Sequence, residues 1–503
     1  MRNFALFDFR QKVNYKNELL AGLTVAMTMI PESLSFAIFA GLSPLTGLYA
    51  AFIMGLVTAI LGGRPGMVSG GAGATVVVLV ALIHTHGVEY LFATVALAGG
   101  IQLLVGIFRL GKFVRLIPEP VMYGFLNGLA VIIFMSQLAQ FKTMQNGQLV
   151  WLEGYALYSM LALVLLTVAI VYGVPKFTKA IPASLVAIII VFAVVYIFGI
   201  DTKTVANIAH LKGSFPPFHI PQLPVNLETL RIIFPYALIM ASVGLIESLL
   251  TLTIVDEVTD SRGNANRECI AQGVANVANG FFSGMGGCAM IAQTFVNLNA
   301  GSRARLSGII GALTILGVIL FASRLIEQIP MAALVGVMMV VAISTFKWST
   351  FNIWNKMPKS DVFICVLVAA ITIVLHNLAL AVLVGVVIAA LVFAWDNAKM
   401  IRARKAISAD GVKYYYIHGP LFFGSASTFA QKFDFSRDPD AVVIDFSASR
   451  IVDMSALEAI KKVQDRYRAL GKQITLTQVN DDGRRLIENA KGLLQVRYLD
   501  DEQ

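Results

Sequence analysis

The tripeptide Glu32-Ser33-Leu34 recurs as Glu247-Ser248-Leu249, and the pair Gly70-Gly71 recurs as Gly286-Gly287, at offsets of 215 and 216 residues. An acid in an apolar run, with a glycine pair about 40 residues later, is therefore written twice. A chain marked this way folds as two related halves. Apolar runs of spanning length recur almost to residue 396. Of the 503 residues 57% are hydrophobic and only 14% charged, against roughly 25% charged in soluble domains. Most of the chain belongs in a bilayer. Carboxyls buried in a duplicated membrane domain are the pattern of a secondary transporter whose site lies between its repeats.

Seven segments are legible in the first half, at 19–40, 44–62, 72–84, 90–107, 119–138, 154–173 and 181–199. The second half gives 231–255, 269–282, 289–300, 305–323, 330–346, 361–376 and 379–396. An odd number of crossings turns the second copy upside down, so the repeat is an inverted one. The third segment of each half is too short to cross about 30 Å of hydrocarbon. Each follows a glycine-rich approach, Gly66 to Gly73 or Ser283 to Cys288. Two half-helices whose N-termini meet near the midplane account for this. Free N–H groups and the positive dipole end suit that place to an anion. The other reading is that the glycines only permit close helix packing.

Basic residues cluster at alternate loops, from Arg10, Lys12 and Lys16 through Arg303 and Arg305 to Lys347, Lys356 and Lys359. Lys142, Lys203, Lys212 and Arg324 are the main exceptions. That alternation places both termini in the cytoplasm, and it explains the net charge of +9 without nucleic acid. The start lacks a signal-peptide cleavage pattern and reads as a cytosolic lead-in. Cys269, Cys288 and Cys365 form neither a disulfide framework nor a metal-ligand spacing. No nucleophile–base constellation points to an enzyme, and no cofactor is expected beyond Na⁺ or H⁺ as a coupling ion.

After Asn397 the composition changes. Lys399, Arg402, Arg404 and Lys405 read as a basic juxtamembrane stretch. Strands are expected at 413–418, 441–446 and 473–478, with helices at 455–470 and 483–490. Their alternation predicts a small α/β domain over 410–503, regulatory or assembly-forming rather than catalytic.

Glu247 lies mid-span, where a carboxylate is costly and marks function. Thr251 follows four residues on and shares its helix face. The pair fits either Na⁺ held through oxygen ligands or a proton on Glu247. Glu32 follows Pro31 and lines the cavity or braces a kink. Asp256 to Asp260 and Arg262 to Glu268 read as a solvated or domain-docking surface. His84 and His376 read as interfacial residues, and Asn127 as a helix-contact residue.

These residues resemble the SulP family of anion transporters, which includes sulfate permeases and bicarbonate carriers. Ile30-Pro31-Glu32-Ser33-Leu34-Ser35-Phe36-Ala37 and Gly41 to Tyr49 are similar to its first-helix region. Arg115 to Gly128, then Cys288 to Gly301 and Arg305-Leu306-Ser307-Gly308, are similar to its fifth- and tenth-helix regions. Ile444 to Ser447 and Val452 to Ser455 resemble the signature of a STAS domain. The resemblance implies an α-helical polytopic membrane protein with a 7+7 inverted repeat and 14 transmembrane segments, two of them half-helices. The membrane domain would occupy 1–400, with repeats at about 19–200 and 231–396 and core and gate parts.

It further implies substrate held by Ser69, Gly73, Ala74 and Thr75 on one side and Cys288, Ala289, Met290 and Ile291 on the other. Glu247 and Thr251 would couple a cation, with Glu32 and Gln293 in the cavity. Many members have an arginine where this chain has Gln293, so cation-coupled symport is favoured over exchange. Met454 stands where sporulation relatives have a phosphorylated serine, so that switch is not expected.

The expected function is transport of a small inorganic anion, bicarbonate or sulfate, across a bacterial inner membrane. Alternatives are a passive anion channel, a dicarboxylate or nucleobase carrier, and a tail that chiefly binds a cytosolic partner. A homodimer in the lipid bilayer is implied by the resemblance.

Overall fold

The computed structural model describes residues 14–111, 118–145, 148–177, 182–207, 213–224, 226–375, 378–489 and 497–498. Most of the lead-in, together with Lys112, Arg115, Lys179, Lys212 and His376, lies outside them. The chain divides into two compact units, Met1–Gly385 and Val386–Gln503.

The first repeat supplies α1 (Tyr15–Phe39), α2 (Pro44–Leu61), α3 (Gly73–His86), α4 (Val88–Ile107), α5 (Glu119–Leu138), α6 (Gly154–Phe177) and α7 (Ala183–Phe198). The second supplies α8 (Leu227–Thr259), α9 (Ala265–Phe281), α10 (Ile291–Asn299), α11 (Leu306–Phe321), α12 (Met331–Thr345), α13 (Lys359–Leu375) and α14 (Leu378–Lys399). Short strands β1 (Ser69–Gly70), β2 (Lys142–Gln145) and β3 (Gln148–Trp151) in the first repeat precede β4 (Cys288–Ala289) in the second. Among the described residues, eight helices are long and apolar enough to cross a membrane. At 1.5 Å per residue, α3 and α10 are only about 21 and 14 Å long.

The packing reproduces itself when the repeats are exchanged. Helix α1 packs on α10 and α11, and its counterpart α8 packs on α3 and α4. Helix α2 packs on α11 and α9 on α4; likewise α5 packs on α13 and α12 on α6. Small residues make the equivalent contacts close. A Cβ on Gly128 of α5 would lie 2.6 Å from Thr372 of α13, and one on Gly336 of α12 would lie 2.5 Å from Thr167 of α6. Without a hydrophobic drive between helices in lipid, such close backbone approach supplies the dispersion that holds them. Two groups result, α1–α4 with α8–α11 and α5–α7 with α12 and α13. Their main connections are from α1 to α12 and α7.

The second unit holds β5 (Arg402–Ile407), β6 (Lys413–His418), β7 (Ala441–Ala448), β8 (Gln473–Thr477) and β9 (Arg497–Tyr498), in that spatial order. Strand β5 is antiparallel to β6, and the remaining pairs are parallel. Helices α15 (Ala426–Ala430), α16 (Met454–Ala469) and α17 (Asp481–Asn489) complete it. The stretch read as basic juxtamembrane chain is in part the edge strand β5. Its exposed Arg and Lys side chains are how an edge strand discourages further pairing, and they masked the strand signal.

Among the described residues, the core of this unit contains one acid. Asp438 is 4% exposed and accepts hydrogen bonds from Lys413, Tyr467 and, at 2.7 Å, Tyr415. Burial pushes its pKa up, but those three donors outweigh burial and hold it below the usual 3.8. A depressed folded pKa means stability present above the unfolded value and lost as pH falls through the folded one. Asp438→Asn is therefore expected to destabilise this unit by roughly 3 kcal/mol at neutral pH, the cost of leaving Lys413 without its buried partner. Scanning calorimetry of the full chain should show the soluble transition fall in temperature, with less change across the acid limb than in the parent.

Candidate functional site where two half-helices cross

The segments preceding α3 and α10 run extended and pair with each other. Strand β1 (Ser69–Gly70) is antiparallel to β4 (Cys288–Ala289), with Ser69 opposite Ala289 and Gly70 opposite Cys288. The Met290 N–H continues the ladder to the Val68 carbonyl at 2.9 Å. Backbone outside a helix survives in a membrane only when protein surrounds it, and all four strand residues are buried.

The glycine pairs explain how two backbones come so near. A Cβ on Gly287 would lie 1.9 Å from the Gly70 carbonyl oxygen, and one on Gly70 would lie 2.2 Å from Met29 Cε. Close packing and the start of the half-helices are thus one feature.

Both half-helices begin without a side-chain cap, at Ala72 and Met290. Their first turns close with Val76 N–H to Ala72 O and Thr294 N–H to Met290 O. The preceding N–H groups, of Gly73, Ala74 and Thr75 and of Ile291, Ala292 and Gln293, have no acceptor within their helices, which puts partial positive charge at both starts. Ser69, Gly73, Ala74, Thr75, Cys288, Ala289 and Met290 are buried, Ile291 is partly exposed and Ala292 is open. The Thr75 hydroxyl is turned back to the Ala72 carbonyl at 2.9 Å, and the Ser69 hydroxyl accepts from Gln272 Nε2 at 2.8 Å.

Two carboxyls bracket the start of α10. From α8, Glu247 Oε2 accepts from the Cys288 thiol at 3.0 Å, while Ser248 Oγ accepts the Ala289 N–H at 3.0 Å. From α1, Glu32 Oε2 accepts from Gln293 Nε2. Both acids are partly exposed. Thr251 stands one turn beyond Glu247, but its hydroxyl donates to the Glu247 main-chain carbonyl at 2.8 Å rather than to the carboxyl.

A polar row on α9 supports the crossing. Glu268, Gln272 and Asn276, four residues apart, are at most 1% exposed. Gln272 Nε2 also donates to Glu268, whose other oxygen accepts the Gly63 N–H. Asn276 spans the Gly287 peptide, accepting its N–H at 2.9 Å and donating to its carbonyl at 3.0 Å. Glu268 is therefore not part of a solvated surface. Asp256 likewise turns inward, 3.3 Å from the buried Arg64. Polar residues at every fourth position along the segment, Glu268, Gln272 and Asn276, were the available signal.

Asn276→Ala removes both partners of Gly287, and each orphaned group costs roughly 1–3 kcal/mol. A clear fall in the melting temperature of the detergent-solubilised protein is expected, with a loss of uptake. An unchanged melting temperature would contradict this role.

The sulfate permease family profile matches residues 15–368, and the STAS domain profile matches 404–496. YbaR of Bacillus subtilis (strain 168) is 39% identical over 477 residues, covering 94% of this chain and 97% of its own. The bicarbonate transporter BicA of Picosynechococcus sp. is 29% identical over 521 residues, with 95% and 91% covered. The solved transmembrane domain of a cyanobacterial BicA superimposes with a TM-score of 0.62 at 29% identity, covering 76% of this chain and 98% of that one. The murine Slc26a9 anion transporter in its inward-facing state shares the fold, with a TM-score of 0.81 at 19% identity over 96% and 88% of the two chains. The chain belongs to the sulfate permease family, as a multi-pass membrane protein of the inverted-repeat transporter fold with a C-terminal STAS domain.

Proposed function

We propose that this chain is a secondary-active transporter that carries a small inorganic anion, sulfate or bicarbonate, together with protons. The observation behind this reading is the pairing of two uncapped half-helix starts with Glu247 beside them. A singly charged anion about 5 Å from an ionised carboxylate is repelled by about 3 kcal/mol at an effective dielectric constant near 20, and divalent sulfate by about twice that. Protonating Glu247 removes that repulsion. Proton and anion then favour each other's binding, and reciprocal binding is what coupling requires.

A proton suits the site better than Na⁺. Hard cations take several oxygen ligands, whereas the partner of the Glu247 carboxyl is a thiol and the Thr251 hydroxyl is turned to the main chain. Ser69, Gly73, Ala74, Thr75 and Cys288 to Ile291 would form the pocket, with Gln293 at its uncharged end. Movement of one of these two helix groups against the other would expose it alternately to either side. The substrates follow the family's name and the name of its relative BicA. The protein would sit in a bacterial inner membrane with cytoplasmic termini, as a homodimer whose STAS domain binds a cytosolic partner.

Uptake of labelled sulfate and bicarbonate into proteoliposomes tests this. Acid outside should accelerate uptake and drive accumulation, and a Na⁺ gradient alone should do neither. Flux that follows the anion gradient and ignores pH would instead identify a passive channel.

A further inference from the structure

We propose that Glu32 carries a second proton beside Glu247, so that each anion crosses with two protons, and that Gln293 positions this second carboxyl. This rests on the proton-coupled reading above and extends it to stoichiometry.

The geometry treats the two acids alike. They stand 215 residues apart at matching positions of the repeat. Each is hydrogen-bonded to the chain at the start of α10, Glu247 through Cys288 and Glu32 through Gln293. Both are partly exposed although they lie within apolar helices. An anion approaching the Ile291–Gln293 turn meets a carboxyl on either side.

Among the described residues, no base neutralises Glu32. Helix α1 packs chiefly against α2, α3, α7, α10, α11 and α12, and these six helices contain no Asp, Glu, Lys or Arg. Their titratable groups face elsewhere. The Tyr49 hydroxyl bonds Ser214, and His86 bonds Thr85. His84 lies near Gly41, beyond the end of α1. Tyr196 is 80% exposed. On α1 itself, the exposed Tyr15 and Lys16 and the buried Glu18 sit near the opposite end, where Glu18 accepts the N–H groups of Arg303, Ala304 and Ser307. The Gln293 amide supplies a hydrogen bond but no charge.

Neutralising Glu247 alone therefore leaves one negative charge beside the anion. Protonating Glu32 as well removes it. Each carboxylate takes one proton, on one of its oxygens, from hydronium on the side of entry and returns it to water on the other side, and no bond in the anion changes. The alternative is that Glu32 only braces α1 against α10, a role the isosteric glutamine preserves.

The full-length chain is reconstituted in proteoliposomes with voltage clamped by potassium and valinomycin, with sulfate as the probe. Two protons per sulfate move no net charge, so the zero-flux condition of the parent should depend on pH and not on voltage. Glu32→Gln should move one negative charge per sulfate and become voltage-dependent. Glu32→Asp should restore the parental behaviour. With bicarbonate, the charge moved per anion should likewise change by one.

An equilibrium measurement covers a variant that binds but does not transport. Above the titration of both acids, anion affinity should fall about 100-fold per pH unit in the parent and about tenfold in Glu32→Gln, as two or one linked protons require. If Glu32→Gln keeps the parental zero-flux condition or pH slope, Glu32 is a brace and this inference is wrong, while proton coupling stands. If parental uptake ignores pH, the proposed function itself fails.

Discussion

Glu247→Gln is expected to remove the Glu247 proton's share of pH-driven anion accumulation while leaving exchange of labelled for unlabelled anion measurable. Glutamine keeps the volume of the acid, and its carbonyl still accepts from the Cys288 thiol, so the crossing is not disturbed. What it loses is the proton. One pH unit is worth about 1.4 kcal/mol per coupled proton, hence about tenfold accumulation for each. The parent should therefore concentrate anion at least about tenfold per unit of imposed gradient, and the variant by the share left to Glu32 or not at all. Counterflow separates this from misfolding: a folded, uncoupled carrier exchanges, and a collapsed one does not. Full accumulation by Glu247→Gln would remove this residue from the mechanism.

Gly287→Ala should be the most damaging of the small substitutions. The new methyl carbon would stand 1.9 Å from the Gly70 carbonyl oxygen, 2.8 Å from its carbon and 3.2 Å from Gly71 Cα. These are main-chain atoms of the partner strand, so no side chain can rotate aside. Overpacking usually costs about 1–3 kcal/mol and sometimes more, and a clash with backbone belongs at or beyond the upper end. Gly100 and Gly173 are the internal controls, because a Cβ at either meets nothing within 4 Å. Alanine there should be neutral or slightly stabilising, since helical glycine costs about 1 kcal/mol. Gly287→Ala should therefore melt well below Gly100→Ala and transport little. Equal melting temperatures and equal uptake would show that the crossing tolerates far more than its geometry implies.

The fourteen segments were legible because sequence-local hydrophobicity sets where a helix can lie in lipid. The half-helices were legible for the same reason, being too short to cross. Glu247 and the glycine pairs announced themselves through duplication. The partners were not legible, since they depend on which segments meet. Cys288 is 41 residues from Glu247, and Gln293 is 261 from Glu32. Thr251 was expected to offer its hydroxyl to the coupling ion, but a threonine within a helix readily bonds the carbonyl four residues back. Glu268 looked solvated because it closes a charged run. Its burial depends on the Gly63 N–H and Gln272, one from another helix junction and one a turn further along α9. Strand β5 was hidden by its own edge charges.

Direct counting of protons against anions tests the central claim. A pH indicator trapped in proteoliposomes, with no imposed pH gradient and voltage clamped at zero, reports proton entry when sulfate is added outside. Coupled transport predicts internal acidification that rises with labelled sulfate uptake and shrinks when Glu247 is replaced by glutamine. Sulfate entry with no acidification beyond that of protein-free vesicles would contradict it.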